Sequence, residues 1–208
     1  MHDPTFMRPN GVKDEQMRST KEYLLDEHRM VFLDGVIRDA RCQTCGAAGD
    51  ADSANLILAL ASHSSEPIKM LISSPGGAVE TAMMIYDTIK LVDAPIITIG
   101  RFCGSAAAIL MAAGTERYLL PRAKMMLHLP SGIIAGNTAQ LEIQQEEMRK
   151  TRNDMVDALI ECGVNKTRTE ILEDMANGDK WFNPQEAIDY GLADSVVTTE
   201  LLKGWLTK

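Results

Sequence analysis

The sequence has few cysteines, histidines and aromatic residues, and it has no long apolar run. It contains four cysteines and four histidines, and aromatic residues make up only 5% of its 208 residues. Irregularly spaced cysteines in a chain of this size favour reduced thiols over a disulfide framework. No apolar run approaches the ~18–20 residues of a membrane-spanning helix, and the N-terminal residues lack the basic-then-apolar pattern of a secretory signal. We therefore expect a soluble, cytoplasmic protein that does not bind membranes.

Positive charge is scarce as well. The chain has 21 Lys and Arg residues against 29 Asp and Glu residues, which gives a formal net charge of −8. This balance argues against a nucleic-acid-binding protein, which would normally carry a basic patch. We expect residues 1–20, which are polar and show no periodicity, to form a flexible N-terminal arm. We expect residues 21–208 to form one folded domain, in which the small, polar segment 38–53 is a surface insertion.

That insertion contains Cys42 and Cys45, in the CxxC spacing of many metal sites. Zinc normally takes four protein ligands in structural sites. No second CxxC pair follows, and Cys103 and Cys162 stand alone in the sequence. The sequence therefore does not predict a metal site.

Strand-like and helix-like segments alternate along the chain. This alternation predicts an α/β fold with a mostly parallel sheet and right-handed crossovers. Serine at the start of the first predicted helix suggests Ser53 as its cap. The expected strands cover residues 29–37, 68–74, 95–100, 117–120, 124–129 and 194–197. The expected helices cover residues 54–63, 78–92, 138–161, 167–176 and 184–190, with a further apolar helix after Ser105 and Gly191 ending the last one.

Two glycine-bearing turns, SSPGGAV and GRFCGSA, follow predicted parallel strands. Ligands of such sheets gather beyond the carboxyl ends of the strands. Ser105, in the second turn, is either a helix N-cap or a nucleophile, because a helix N-terminus also stabilises a developing oxyanion. Its surroundings do not form the G-x-S-x-G elbow, since Cys103 and Ala107 occupy the glycine positions.

A serine nucleophile needs a base. His2, His28 and His63 lie in polar segments and are expected to be solvated. His128 ends an apolar run, which places it at the carboxyl end of a strand, on the same edge as Ser105. A structural role for this histidine is the alternative.

The remaining candidates are an acid and an oxyanion hole. Many carboxylates could orient the histidine, and spacing alone does not choose among them. Asp179 lies on a loop before an aromatic pair, and a turn role is its alternative. The turn containing Gly76 and Gly77 can direct N–H groups at a ligand, together with the N–H of Ala106, or it can be only a turn.

Four longer motifs carry a resemblance to a known family. They are ISSPGGAVETAMMIYDTI, SAAAILMAAG, RYLLPRAKMMLHLPSG followed by GNTAQLEI, and NPQEAIDYGLADSVV. Together they resemble the proteolytic subunit of the Clp protease, the ClpP family. The resemblance implies Ser105 as nucleophile, His128 as general base and Asp179 as the acid that orients it. It also implies an oxyanion hole formed by the backbone of Gly77 and Ala106.

The family resemblance further implies a crotonase-like subunit with a protruding strand–helix handle that includes the helix from Thr138. Such subunits assemble into two stacked heptameric rings, a tetradecamer. A Clp-type ATPase unfoldase feeds unfolded polypeptides into the chamber, where they are cleaved through an acyl-enzyme. Neither a metal nor an organic cofactor is expected.

The sequence departs from the family pattern at several places, among them the N-terminal arm, which does not clearly match the family's axial loop. Ala106 stands where the family usually has methionine, the turn GRFCGS is one residue longer, and residues 38–53 are inserted. Three alternatives remain. One is a catalytically idle ring subunit that supports an active partner, and another is an acyl-CoA enzyme on the related crotonase fold. The third is a Ser–Lys dyad, for which Lys69, Lys90 and Lys124 have no evident place beside Ser105.

Overall fold

The computed structural model describes residues 20–38 and 51–206. Within these residues the chain forms six strands and eight helices. The strands are β1 (Met30–Asp34), β2 (Ile68–Ser74), β3 (Ile96–Gly104), β4 (Glu116–Leu127), β5 (Lys180–Phe182) and β6 (Ser195–Val196). The helices are α1 (Thr20–His28), α2 (Ala51–His63), α3 (Val79–Leu91), α4 (Ala106–Ala112), α5 (Thr138–Glu161), α6 (Arg168–Ala176), α7 (Pro184–Tyr190) and α8 (Thr199–Leu206).

The six strands form one sheet in the order β1-β2-β3-β4-β5, and β6 also pairs with β4. Every pairing is parallel except that of β5, which runs antiparallel to β4. The predicted α/β class with a mostly parallel sheet is confirmed. Because β2, β3 and β4 run in one direction, the turns that follow them lie at the same edge of the sheet.

The main core lies between the sheet and the helices packed on one face. Strand β2 shows why, because Ile68, Met70 and Ile72 alternate with partly exposed residues and are fully buried. Helix α4 is buried along its whole length. Its alanines allow close packing against β3, β4, α3 and α5. The start of α4, and therefore the position of Ser105, is fixed by the core.

Strand β4 differs from the prediction. Residues 117–120 and 124–129 were expected to form two strands separated by Pro121, Arg122 and Ala123, but the strand is continuous from Glu116 to Leu127. The ladder with β3 jumps from Gly100↔Leu119 to Phe102↔Lys124. The proline, which cannot donate to a ladder, lies in the residues that this irregularity leaves unpaired with β3. The irregularity bends the ladder without ending the strand.

The chain before β2 also differs from the prediction. Helix α2 begins at Ala51, so Ser53 lies inside the helix, where it is buried, and is not its cap. Three further elements, α1, α8 and β5, are short and were not predicted from the sequence. Residues 1–19 of the expected arm and residues 39–50 of the expected insertion, with Cys42 and Cys45, lie outside the described residues.

Helix α5 has the predicted bounds, Thr138–Glu161, and begins with a capping box between Asn137 and Gln140. Its second half packs into the core through Met155 and Leu159, whereas residues in its first half are at most half-buried. Residues 128–137, which precede it, contain no strand. The helix of the expected handle is present, and the strand that precedes it along the chain is β4. Across the described ranges, no helix has the length and apolarity needed to cross a membrane.

Candidate active site

Ser105 lies between the end of β3 and the start of α4. It occupies the N-cap position of α4, yet its side chain makes no capping hydrogen bond. Its backbone has φ = 55°, a conformation that non-glycine residues rarely adopt and that costs free energy. The Ser105 N–H donates to the carbonyl oxygen of Met126 at 2.7 Å, which ties this strained turn to β4. The serine side chain is thus available for a contact other than helix capping.

That contact is with His128. The Oγ atom of Ser105 lies 2.8 Å from Nε2 of His128, within hydrogen-bond distance. His128 directly follows the last residue of β4, and Gly104 pairs with Met126 on the neighbouring strand. The sheet therefore brings together a hydroxyl and an imidazole that the sequence placed at the same edge.

Asp179 lies on the other side of the imidazole. It immediately precedes β5, whose antiparallel register pairs Lys180 with Leu127 and so places Asp179 beside His128. Oδ1 of Asp179 is 3.9 Å from Nδ1 of His128, which is within ion-pair distance but too long for a hydrogen bond. The Asp179 side chain is 55% exposed, against 27% for His128. The structure brings the acid near the imidazole without a direct hydrogen bond.

Lys180, which follows Asp179 in the chain, belongs to a network of hydrogen bonds centred on Asp174. Lys180 Nζ lies 2.7 Å from Oδ1 of Asp174, and the Tyr190 hydroxyl donates to Oδ2 of Asp174 at 3.0 Å. Burial and the hydrogen bond to Asp174 raise the pKa of Tyr190, so the phenol remains a donor. Because Lys180 is paired with Asp174, its charge is held away from Asp179.

The turn after β2 meets Ser105 at two glycines. Gly76 has φ = 92°, and a Cβ atom there would lie 2.7 Å from both Gly104 O and Ser105 Cβ. It would also lie 3.1 Å from the nitrogen of Ala106. Any larger residue at position 76 would displace the serine turn, so glycine is required for this close approach.

Gly77 is held by the segment after β1. Ile37 donates to Gly76 O at 2.8 Å and accepts from Ala78 N at 2.9 Å, the pattern of a parallel bridge opposite Gly77. In such a bridge the N–H of the central residue points away from its partner. Among the described residues, neither Gly77 N–H nor Ala106 N–H donates to a protein acceptor. Two backbone donors therefore remain available beside the turn that carries Ser105.

The Clp protease family pattern matches residues 13–200 of the chain. The chain belongs to the Clp protease family. The fold class and family resemblance inferred from the sequence are thereby confirmed.

Named relatives agree with this assignment. Proteolytic subunit 1 of the ATP-dependent Clp protease of Corynebacterium jeikeium is 35% identical over 87% of this chain and 93% of that protein. The proteolytic subunit of the ATP-dependent Clp protease of Paracoccus denitrificans is 40% identical over 68% of this chain and 71% of its own length. The chloroplastic subunit 4 of Arabidopsis thaliana is 33% identical over 84% of this chain, which spans 58% of that longer protein. The peptidase class expected from the sequence is confirmed at the level of the family.

Other candidates from the sequence lie elsewhere. His28 was expected to be solvated, but it is buried and makes a T-shaped ring contact with Tyr23. His63 is exposed, as expected. His2 lies outside the described residues. Lys69 donates to His28 O and Lys90 to Ala113 O. In the described part of the chain, no lysine contacts Ser105, and no group of three or more His, Cys, Asp or Glu side chains could hold a metal ion.

The site also uses residues that the sequence did not single out. Ile37 fixes the Gly77 turn through its backbone alone, and the Met126 carbonyl anchors the Ser105 turn. Because these roles use backbone atoms alone, the residue types at these positions do not indicate them. Cys103, two residues before Ser105, is fully buried, and burial raises the pKa of its thiol, so it does not supply the thiolate that a cysteine nucleophile requires.

Proposed function

We propose that this Clp protease family member is a serine endopeptidase in which Ser105 is the nucleophile and His128 the general base. The observation that carries the proposal is the 2.8 Å contact between Ser105 Oγ and His128 Nε2. A serine hydroxyl is a weak nucleophile until a base within hydrogen-bond reach removes its proton. The strained backbone of Ser105 supports the same role, because a simple helix cap would need neither this conformation nor this partner.

In the proposed reaction, Ser105 Oγ attacks the carbonyl carbon of the scissile peptide while His128 Nε2 takes its proton. The negative charge on the carbonyl oxygen is stabilised by the N–H groups of Gly77 and Ala106. Collapse of this intermediate breaks the C–N bond, and His128 returns the proton to the leaving amine. Water, deprotonated by His128, then hydrolyses the acyl-enzyme. No metal or organic cofactor takes part in any step.

Asp179 is proposed to orient His128 and to stabilise its charged form. From the 3.9 Å separation, the carboxylate has to move about 1 Å closer to accept a hydrogen bond from Nδ1. Because Asp179 lies on a half-exposed loop, this movement costs little free energy. Catalytic hydrogen bonds also often shorten when substrate binds. Because Lys180 is paired with Asp174, Asp179 can accept a hydrogen bond from His128.

The proposed setting is a ring assembly served by an ATPase. The relatives are named as subunits of ATP-dependent proteases, and we infer stacked heptameric rings, a Clp-type unfoldase partner, unfolded polypeptide substrates and a cytoplasmic location. The first half of α5 and the segment before it support self-association. There Ile133 is 99% exposed and Ile143 is 63% exposed, and a neighbouring subunit would bury this apolar surface.

A weakly active or idle ring subunit is the second candidate, and the length of the Asp179–His128 contact favours it. The Ser105–His128 contact argues against it, because a subunit with only an architectural role does not need that geometry. The same contact argues against an acyl-CoA enzyme, whose backbone donors would act on a thioester without a serine nucleophile.

The test is hydrolysis of fluorogenic peptides and of an unfolded protein by the wild type and the Ser105→Ala variant, with masses measured under native conditions. We expect loss of hydrolysis with an unchanged oligomer mass. Ser62→Ala is the matched control, because Ser62 Oγ also contacts a histidine ring, that of His63, at 3.0 Å on the exposed surface. Equal activity of wild type and Ser105→Ala would contradict the proposal, and so would a wild type that is inactive both alone and with related ring subunits.

A further inference from the structure

Two aromatic side chains stack on the sheet close to the candidate active site. The ring centroids of Phe102 and Trp181 are 6.2 Å apart, and their planes make an angle of 27°. Phe102 is half-buried, whereas Trp181 is 50% exposed. Within this subunit, part of the Trp181 side chain is therefore left uncovered. The reaction proposed above does not use this aromatic surface.

Strand pairing places this stack on the same face of the sheet as His128. Trp181 pairs with Met126, and Phe102 pairs with Lys124 on the other side of the same strand. Alternation along β4 puts Lys124, Met126 and His128 on one face, while Met125 and Leu127 are buried in the core on the other. Met126 is two residues from His128, about 7 Å along the strand, or two residues of an extended peptide.

An extra residue in β3 turns Phe102 toward this face. Ile72 pairs with Gly100, but Ser73 pairs with Phe102, which leaves Arg101 as a bulge. A Cβ on Gly100 would contact Met111 and Cys103 in the core, so Gly100 faces inward, and simple alternation would direct residue 102 inward as well. With Arg101 inserted, Cys103 is the next residue in the core and Phe102 faces Trp181.

We propose that Phe102, Met126 and Trp181 form an aromatic ledge that binds a large apolar side chain of the peptide, aromatic ones best. The side chain belongs to a residue one or two positions from the scissile bond, as the spacing along β4 requires. This inference rests on the proposed peptidase function. An aromatic ring of the substrate would extend the existing stack with an edge or an offset face, which is the preferred geometry for such pairs.

The experiment measures kcat/KM for a peptide series in which each position near the scissile bond carries Phe or Ala in turn. The wild type is expected to prefer Phe at one of these positions. Trp181→Ala is expected to lower that preference about fivefold, a typical effect of losing one aromatic partner. Phe102→Ala should act in the same direction, and Trp181→Phe should keep most of the preference. Leu91→Ala is the control, because this leucine is 81% exposed at the end of α3, outside the ledge.

A second measurement leaves the ledge intact. In Ser105→Ala combined with Trp205→Phe, Trp181 is the remaining tryptophan, since the chain has two. A Phe-containing peptide that binds, as followed by calorimetry, should shift its fluorescence emission, and the matching Ala peptide should shift it less. Equal shifts would overturn the ledge, as would an unchanged Phe preference in Trp181→Ala.

Labelling by a fluorophosphonate separates this inference from the function on which it rests. The wild type should be labelled and Ser105→Ala should not, because the probe reports the nucleophile and does not depend on the ledge. If labelling and peptide hydrolysis persist while the Phe preference is unaffected by Trp181→Ala, the ledge is wrong and the peptidase function stands. If the wild type neither labels nor hydrolyses peptides, both are wrong.

Discussion

Ser105 and His128 are hydrogen-bond partners although 23 residues separate them in the chain. Their meeting depends on adjacent strands: Ser105 follows β3, His128 follows β4, and the Ser105 N–H donates to Met126 O two residues before the histidine. The contact is thus a property of the sheet, because the backbone of β4 holds both the turn that carries the hydroxyl and the imidazole that faces it.

Removal of the base should slow acylation. We expect His128→Ala to lower kcat/KM for peptides by about 10²–10⁴-fold, because the Ser105 hydroxyl then loses its proton acceptor. Pre-steady-state release of a chromogenic leaving group measures this step. His63→Ala, which alters an exposed histidine on α2, is the control and should behave as wild type. An acylation rate in His128→Ala equal to that of the wild type would remove His128 from the mechanism.

Loss of the Asp179 charge should have a smaller effect than loss of His128. The carboxylate lies 3.9 Å from Nδ1 and is half-exposed, so water partly replaces its role. We predict that Asp179→Asn lowers kcat by about 10²-fold, less than the ~10⁴-fold known for a fully hydrogen-bonded triad aspartate. Asp87→Asn, on the exposed face of α3, is the matched control. An unchanged kcat in Asp179→Asn would show that another group orients the histidine.

A methyl group on Gly77 should disable the proposed oxyanion hole. The added Cβ would collide with the carbonyl oxygen of Ile37, and φ at this position is 149°, so the Gly77 N–H must move. Loss of one oxyanion donor lowers kcat by about 10²–10³-fold. Gly204→Ala is the control, since a Cβ there meets nothing within 4 Å. Circular dichroism checks that both variants fold; a folded Gly77→Ala with full kcat would exclude Gly77 N–H from the reaction.

The thiol of Cys103, two residues before Ser105, should be inert. Burial raises the pKa of Cys103 above its usual value, so at pH 8 the thiol is protonated, and only the thiolate reacts with iodoacetamide. We expect the native protein to keep its peptidase activity after treatment, and mass spectrometry to find Cys103 unmodified. Denaturation before treatment should expose the residue and give full modification. Modification of native Cys103 with loss of activity would contradict the buried position.

Much of the site was predictable from sequence because it follows from local rules. Short apolar runs followed by glycine turns located the carboxyl ends of β2 and β3, and those ends place the Gly77 turn and Ser105 at one edge. His128 could be assigned to the same edge from the apolar run before it. The bounds of α5 were predictable for a similar reason, since Asn137 and Gln140 form a capping box.

The remaining features depend on pairings between distant segments. Asp179 is placed by three ladder pairs of β5, a strand too short to show a pattern. The continuity of β4 through Pro121 depends on its partners on either side, which local propensity does not describe. The orientation of Phe102 follows from one inserted residue, Arg101. The effect of this residue on the direction of the Phe102 side chain appears only in the pairing of β2 with β3.

The most direct test of the account is to identify the residue that a fluorophosphonate modifies in the native protein, by peptide mass mapping. The account predicts one adduct, on Ser105, that forms slowly in His128→Ala and is absent in Ser105→Ala. An adduct on a different residue, or undiminished labelling of Ser105→Ala, would contradict the assignment of Ser105 as the nucleophile.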